Sequence, residues 1–179
     1  DYRAKWRRAI TSFYDQSELV VSPDCVDEAL RLLVSESVLR EIHSRLEELF
    51  EVELYDFVRV SAHLLIPGQR IGIHTDRSGP LEGSHRLLLQ FNRGWEESYG
   101  GHLVLLTGKT LRDVHRILRP LNRSGFAFEF GEKSYHAVAE VKNGKRYTLV
   151  YDFWRNPSQN ALQLAEAIKE DNRCLFFIR

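Results

Sequence analysis

Arg70-Ile71-Gly72-Ile73-His74-Thr75-Asp76 is the stretch from which the rest of this sequence can be placed. Its apolar alternation predicts a strand over 70–76, closing on His-x-Asp. Successive side chains of a strand point to opposite faces, so His74 and Asp76 share one face and Thr75 takes the other. Two ligand-type side chains on one face can grip a divalent metal. A third ligand has to come from elsewhere, and His136 in Ser134-Tyr135-His136-Ala137-Val138 is the candidate.

On either side of that stretch the apolar pattern keeps a period of two. Strands are expected at 52–66, 70–76, 86–92, 102–106, 126–130, 135–141 and 145–154. Turn signals separate them, among them Pro67-Gly68, Gly79-Pro80 and Asn143-Gly144. Val114–Leu118 reads either as a strand or as a helical turn. Upstream, 2–14 reads as a short helix and Glu18–Val21 as a strand. Ser22-Pro23-Asp24 carries a helix-start signature: a cap, a proline and an acid. Helical spacing then runs through Val26, Leu30, Leu33, Val38, Leu39, Ile42, Leu46 and Leu49, broken at Ser35 or Ser37. A last helix is expected at about 158–170, before the apolar end Leu175-Phe176-Phe177-Ile178.

Short strands behind a helical block predict a mostly β fold with flanking helices. The architecture expected is a double-stranded β-helix, a cupin-like jelly roll, with N-terminal helices packed on one sheet. A single domain is expected over 1–179: helical support at 1–51, jelly-roll core at 52–155, C-terminal helix and tail at 156–179. The 179 residues are 43% hydrophobic and 28% charged, ordinary for a globular protein with its own core. Lys plus Arg and Asp plus Glu both number 25, and this zero net charge argues against nucleic-acid or membrane-surface partners. Cys25 and Cys174 are too few for a disulfide scaffold or a cysteine zinc site. No apolar run reaches a membrane span and no signal peptide stands out, so a cytoplasmic location is expected. The sequence opens on Asp1 rather than Met, which leaves room for residues before it.

The turn at Asn143-Gly144 suggests a hairpin over 135–153. A three-residue loop, Lys142-Asn143-Gly144, would pair His136 with Val150 and Glu140 with Arg146. His136, Val138, Arg146, Thr148 and Val150 then share one face, and Tyr147, Leu149, Tyr151 and Phe153 lie under the helices. A buried Arg146 needs an anion, because an unpaired interior charge is costly. Glu140 is the structural partner. A bound carboxylate is the functional one, with Thr148 as a second donor.

Over about 58–154 the sequence resembles the Fe(II)- and 2-oxoglutarate-dependent dioxygenase superfamily, in its prolyl 4-hydroxylase-like branch. The resemblance rests on Ile66-Pro67-Gly68, His74-Thr75-Asp76, Arg86-Leu87-Leu88-Leu89-Gln90-Phe91-Asn92, Gly100-Gly101-His102-Leu103, Phe126–Phe130, His136-Ala137-Val138 and Gly144-Lys145-Arg146-Tyr147-Thr148. It implies that His74, Asp76 and His136 hold Fe(II) and that Arg146 binds the distal carboxylate of 2-oxoglutarate. It further implies hydroxylation of an aliphatic C–H with O2, releasing succinate and CO2, with ascorbate as an accessory reductant. Ile66 and Gln90 stand where that branch often has Tyr. Ile66 cannot hydrogen-bond a carboxylate; Gln90 can, and is expected beside Arg146. Leu103 is expected as an apolar wall. Asp76 favours hydroxylation over halogenation, because related halogenases lose this carboxylate.

The expected substrate is a prolyl residue or a similar aliphatic C–H in a peptide or protein. The alternatives are a free amino acid or small biosynthetic metabolite, or a jelly-roll protein that binds metal and carboxylate without turnover. Arg77 and Trp154, with Arg155, are candidate substrate contacts, and the loop Arg77–Ser84 is a candidate lid. His43 is expected at the surface. His63, judged by parity against Ile66, is expected in the core or at the surface. His85, His102 and His115 are expected to have no role. The sequence is silent on oligomeric state.

Overall fold

The computed structural model describes residues 6–23, 26, 28–76, 83–155 and 175–178. Within them the elements run β1 (Arg7–Ile10), β2 (Asp15–Val21), α1 (Glu28–Arg31), α2 (Glu36–Phe50), β3 (Leu54–Leu65), β4 (Ile71–His74), β5 (His85–Gln90), β6 (Leu103–Leu106), β7 (Val114–Leu118), β8 (Gly125–Glu129), β9 (Tyr135–Val138), β10 (Arg146–Arg155) and β11 (Leu175–Phe177). The strands form two antiparallel sheets. The larger has the order β1-β2-β3-β10-β5-β8, with β11 on β3, and the smaller has the order β4-β9-β6-β7. The expected jelly roll is therefore present, and Val114–Leu118 resolves as a strand.

β10 shows why the two sheets and the helix assemble as they do. Its Leu149, Tyr151 and Phe153 pack with Val58 and Val60 of β3 against Leu39 and Leu46 of α2. Its opposite face turns inward, where Val150, Leu65 and Leu88 of the larger sheet meet Ile71, Leu103 and Val138 of the smaller. A strand covered on both faces loses the simple polar alternation of a half-exposed one. α2 starts at Ser35, whose extended backbone marks the break expected there. Along its exposed side Glu36–Arg40 and Glu41–Arg45 pair four residues apart. His43 is buried rather than exposed, beside Glu47 at 3.4 Å and the ring of Phe153.

Three segments depart from expectation. Residues 7–10, read as helix, form β1. They pair with β2 across a turn in which Thr11 Oγ1 accepts from the backbone N–H of Phe13 and Tyr14. A short basic-aromatic run is equally compatible with either period, and pairing with β2 decides it. Among the described residues the helix expected from Ser22 appears as the single turn α1; Asp24, Cys25 and Asp27 lie outside them. Leu175–Phe177 extends the larger sheet along β3, whereas the helix expected at 158–170 lies outside the described residues.

The hairpin over 135–153 does not form. β9 lies between β4 and β6 in the smaller sheet, and β10 lies between β3 and β5 in the larger. His136 therefore faces His74 and Leu105 instead of Val150. Glu140 O accepts from Gly101 N and Val141 N donates to Gln69 O, so this segment ties to loops while crossing between the sheets. Asn143-Gly144 does turn the chain: Gly144 has φ of +76° and its N–H is accepted by Asn143 Oδ1. An Asn-Gly turn serves a sheet-to-sheet crossing as well as a hairpin. The predicted faces of β10 survive the error, because parity within one strand does not depend on its partner; Tyr147 alone of its face is exposed. Among the described residues no helix is long and apolar enough to cross a membrane.

Candidate active site

β4 ends on His74, and Asp76 stands in the bend that follows. The strand pairs with β9 so that His74 and His136 are directly opposite, their ring centroids 4.2 Å apart. Cross-strand pairing thus brings together two histidines 62 positions apart in the chain. Asp76 Oδ1 is 3.4 Å from His74 Nε2, and Oδ2 is 3.2 Å from His136 Nε2. The ligand atoms of all three residues lie within 4.8 Å of one another.

Each ring is oriented from behind. His74 Nδ1 donates to Gly72 O at 2.9 Å and His136 Nδ1 donates to Ser134 O at 3.0 Å. A carbonyl only accepts, so each Nδ1 keeps the proton and each Nε2 presents its lone pair inward. Tyr14 packs on His74 and Phe128 on His136, both edge-to-face at 5.0 Å. Two lone pairs and a carboxylate converge on one buried point, an arrangement that calls for a cation. Two imidazoles and one carboxylate is the donor set that suits divalent iron with positions left open. Burial works against the charge on Asp76, yet His136, His74 and the Arg86 guanidinium outweigh it and hold the carboxyl well below the usual range.

Arg146, at the start of β10, is 2% exposed. Its Nε donates to Gly101 O and its Nη1 to Thr148 Oγ1, both at 2.8 Å. Thr148 in turn donates to Gln90 Oε1 at 3.0 Å, across a direct β10–β5 pair. Asn92 Nδ2 reaches the same oxygen at 3.2 Å, so both bonds to the Gln90 amide fall on its Oε1. No carboxylate among the described residues forms an ion pair with Arg146; Glu140, the structural partner considered above, belongs to the crossing segment. Burial without an anion pushes the guanidinium down to about 10. Gly101 makes this seat possible. Its φ is +64°, and a Cβ there would come within 3.0 Å of Arg146 Cδ and 3.1 Å of Trp95 Cζ2. His74, His136, Arg146 and Thr148 line one cavity, with Leu103 as the expected apolar wall.

The same cavity is lined by Tyr14, His63 and Arg86, to none of which the sequence assigned a role in the site. His63 lies directly opposite Thr148 and faces inward, near Ser61 at 3.3 Å and Glu18 at 3.7 Å. It shares the parity of Leu65 and faces away from exposed Ile66, partly buried in the interior and outside the His-Asp-His cluster. Arg86 donates to Asp76 Oδ2 at 2.7 Å and grips Asp152 through Nε and Nη2 at 2.7 and 3.2 Å. Burial would lower its pKa, but Asp152 and Asp76 raise it beyond the ordinary guanidinium range. The signal for Arg86 was available: it shares a strand face with Leu88 and Gln90. Trp154, a candidate substrate contact, is buried against Phe57 with Arg59 over its ring, and is not among the residues lining this cavity. Arg77 and most of the candidate lid lie outside the described residues.

The model of the 2OG-Fe(II) oxygenase superfamily matches residues 59–154. No curated protein matches the chain. Among solved structures, a prolyl-4-hydroxylase from Pseudomonas putida is similar, with a TM-score of 0.71 at 19% identity over 86% of this chain and 79% of that one. A Trichoplax adhaerens prolyl hydroxylase, solved with a hypoxia inducible factor oxygen degradation domain peptide, has a TM-score of 0.69 at 15% identity, covering 85% and 71%. The viral collagen prolyl hydroxylase of Paramecium Bursaria Chlorella virus-1 follows with 0.56 at 18% identity, covering 81% of each chain. At these identities the likeness is one of fold.

Proposed function

The chain belongs to the 2OG-Fe(II) oxygenase superfamily, and from that premise we propose that it hydroxylates an aliphatic C–H, foremost that of a prolyl residue in a peptide or protein. Family membership makes it an oxygenase that uses Fe(II), 2-oxoglutarate and O2. We take residues 1–179 as one dioxygenase domain. The observation that carries the site assignment is Arg146: a buried guanidinium with no carboxylate partner among the described residues, in the cavity lined by His74 and His136 of the His-Asp-His cluster.

His74, Asp76 and His136 would hold the iron. Iron and 2-oxoglutarate, once bound, supply O2 activation coupled to decarboxylation of the co-substrate, so that R–H, O2 and 2-oxoglutarate become R–OH, succinate and CO2. The protein's part is to bind, aim and exclude water. The Nδ1 bonds to Gly72 and Ser134 would keep both Nε2 atoms facing the metal. Arg146 would take the distal carboxylate through the N–H groups not spent on Gly101 and Thr148, and Gln90 joins the same network through Oε1, which accepts from Thr148. Leu103 and Leu88 would keep the middle of the co-substrate dry. Arg77, directly after Asp76, remains the candidate substrate contact. Trp154 is better placed to support Arg59 than to reach substrate.

Support for a prolyl substrate comes from the fold it shares with the prolyl hydroxylases above. The test is succinate release from 2-oxoglutarate with proline-containing peptides and with free amino acids, read alongside mass spectrometry for a gain of one oxygen. Oxidised peptide supports the proposal. Oxidised free amino acid with inert peptides replaces it with a small-metabolite hydroxylase.

A further inference from the structure

We infer that Arg86 is a positioning residue for the metal centre, setting which oxygen of Asp76 faces the metal. The inference rests on the iron-site reading given above. Asp76 stands beyond the end of β4, where no strand ladder orients it. Its carboxylate has contacts of two kinds among the described residues. One kind is the pair of His Nε2 atoms that would share its metal, and the other is the Arg86 guanidinium at 2.7 Å from Oδ2. Only the second comes from outside the ligand set.

Arg86 is itself held rigidly. Asp152 on β10 is the direct cross-strand partner of both Arg59 on β3 and Arg86 on β5, so the three form an Arg–Asp–Arg row on the cavity-facing side of the larger sheet. Arg86 meets Asp152 with two nitrogens, and Arg59 Nη2 bonds Asp152 Oδ2 at 3.2 Å from the far side. Arg59 also lies over Trp154, and Arg86 over Phe130 at 5.0 Å. The row sits on strands rather than loops, and such support is stiff. With Oδ2 occupied by Arg86, Oδ1 is the oxygen left for the metal. The carboxylate then binds through one oxygen and does not swing to chelate, which preserves the open positions needed by a two-toothed co-substrate and O2.

The sign of the effect separates positioning from plain charge. A guanidinium beside a dication repels it, so if charge were its only influence, Arg86→Gln would tighten metal binding. Positioning predicts the opposite, since loss of a partner that orients a ligand typically weakens metal affinity by about 10–100-fold. The experiment is Mn(II) titration of the metal-free full chain followed by electron paramagnetic resonance, with Co(II) visible absorption as a report on coordination. R86Q is expected to bind Mn(II) at least tenfold more weakly and to alter the Co(II) spectrum. R86K keeps the charge but cannot span two carboxylates, and is expected to bind as weakly as R86Q. Asp152→Asn loosens Arg86 from behind without touching any ligand, and is expected to shift affinity in the same direction; it also serves if R86Q does not fold. Unchanged or tighter Mn(II) binding in R86Q, or full recovery in R86K, overturns the inference while leaving the iron site standing. A wild-type protein that binds no Mn(II) removes the iron site, and this inference with it.

Discussion

Replacing Arg146 by Met should separate folding from co-substrate binding, because the two respond in opposite directions. The guanidinium carries five N–H donors, of which the structure commits one to Gly101 O and one to Thr148 Oγ1. Three remain for a ligand. In a site this buried, loss of one partner of a hydrogen-bonded charge pair costs roughly 2–5 kcal/mol. At about 1.4 kcal/mol per tenfold, 2-oxoglutarate should bind R146M roughly 30- to 4,000-fold more weakly. Without ligand, however, wild-type Arg146 is an interior charge with no anion, and a hydrophobic replacement of a buried charge is often neutral or stabilising. Apo R146M should therefore melt no lower than apo wild type. Ligand at 100 times the wild-type Kd adds about 2.7 kcal/mol to wild type, roughly 5–10 °C for a chain of this length, and at most about 0.9 kcal/mol to R146M. The assays are isothermal titration of 2-oxoglutarate into Mn(II)-loaded protein and thermal melts with and without ligand. R146M that binds 2-oxoglutarate within threefold of wild type places the carboxylate elsewhere. R146M that melts well below wild type in the apo state makes Arg146 a structural residue.

Other consequences can be checked on the same preparations. His136→Ala removes one of three ligands and should abolish measurable Mn(II) binding while the far-ultraviolet circular dichroism of the two sheets persists; retained binding would point to a different ligand set. Gly101→Ala faces both a left-handed backbone, worth about 1–2 kcal/mol, and a Cβ pressed on Arg146, so it should weaken 2-oxoglutarate binding. Gly94→Ala, with φ of +69° and nothing within 4 Å of the added carbon, should lose only the backbone part and bind normally. Glu18 is held below its ordinary value of 4.5, chiefly by the His63 imidazole 3.7 Å away, while burial works against it. A depressed carboxyl contributes stability above its unfolded pKa and loses it as pH falls through the folded one. The destabilisation by Glu18→Gln should therefore be present at pH 7 and fade below about pH 4.5, as read from denaturant midpoints.

What could be read directly from the chain was whatever depends on parity within one strand. The inward face of β10 and the core face of Leu149, Tyr151 and Phe153 follow from a period of two, whereas Asp76 meets His74 from the bend after β4, since the strand expected over 70–76 ends two residues short of it. What failed was partner choice. Asn143-Gly144 signals a reversal but carries no information on whether the outgoing strand joins the same sheet, so the hairpin was a wrong route to a right grouping. His136 and Arg146 share a cavity from opposite sheets, not from neighbouring strands. Arg86 was visible on the face of Gln90, but its pairing with Asp152 depends on the register of β5 with β10, and its pairing with Asp76 on the bend after β4. Residues 7–10 are too short for either period to dominate, and only the edge of β2 makes them a strand.

The central claim is that His74, Asp76 and His136 hold the metal and Arg146 the far end of its co-substrate. A crystal structure with Mn(II) and 2-oxoglutarate, read by anomalous scattering, tests it most directly. The account predicts a single strong peak bonded to His74 Nε2, Asp76 and His136 Nε2, with the co-substrate chelating it and its distal carboxylate on Arg146. A peak at other residues, or a 2-oxoglutarate whose distal carboxylate avoids Arg146, would contradict it.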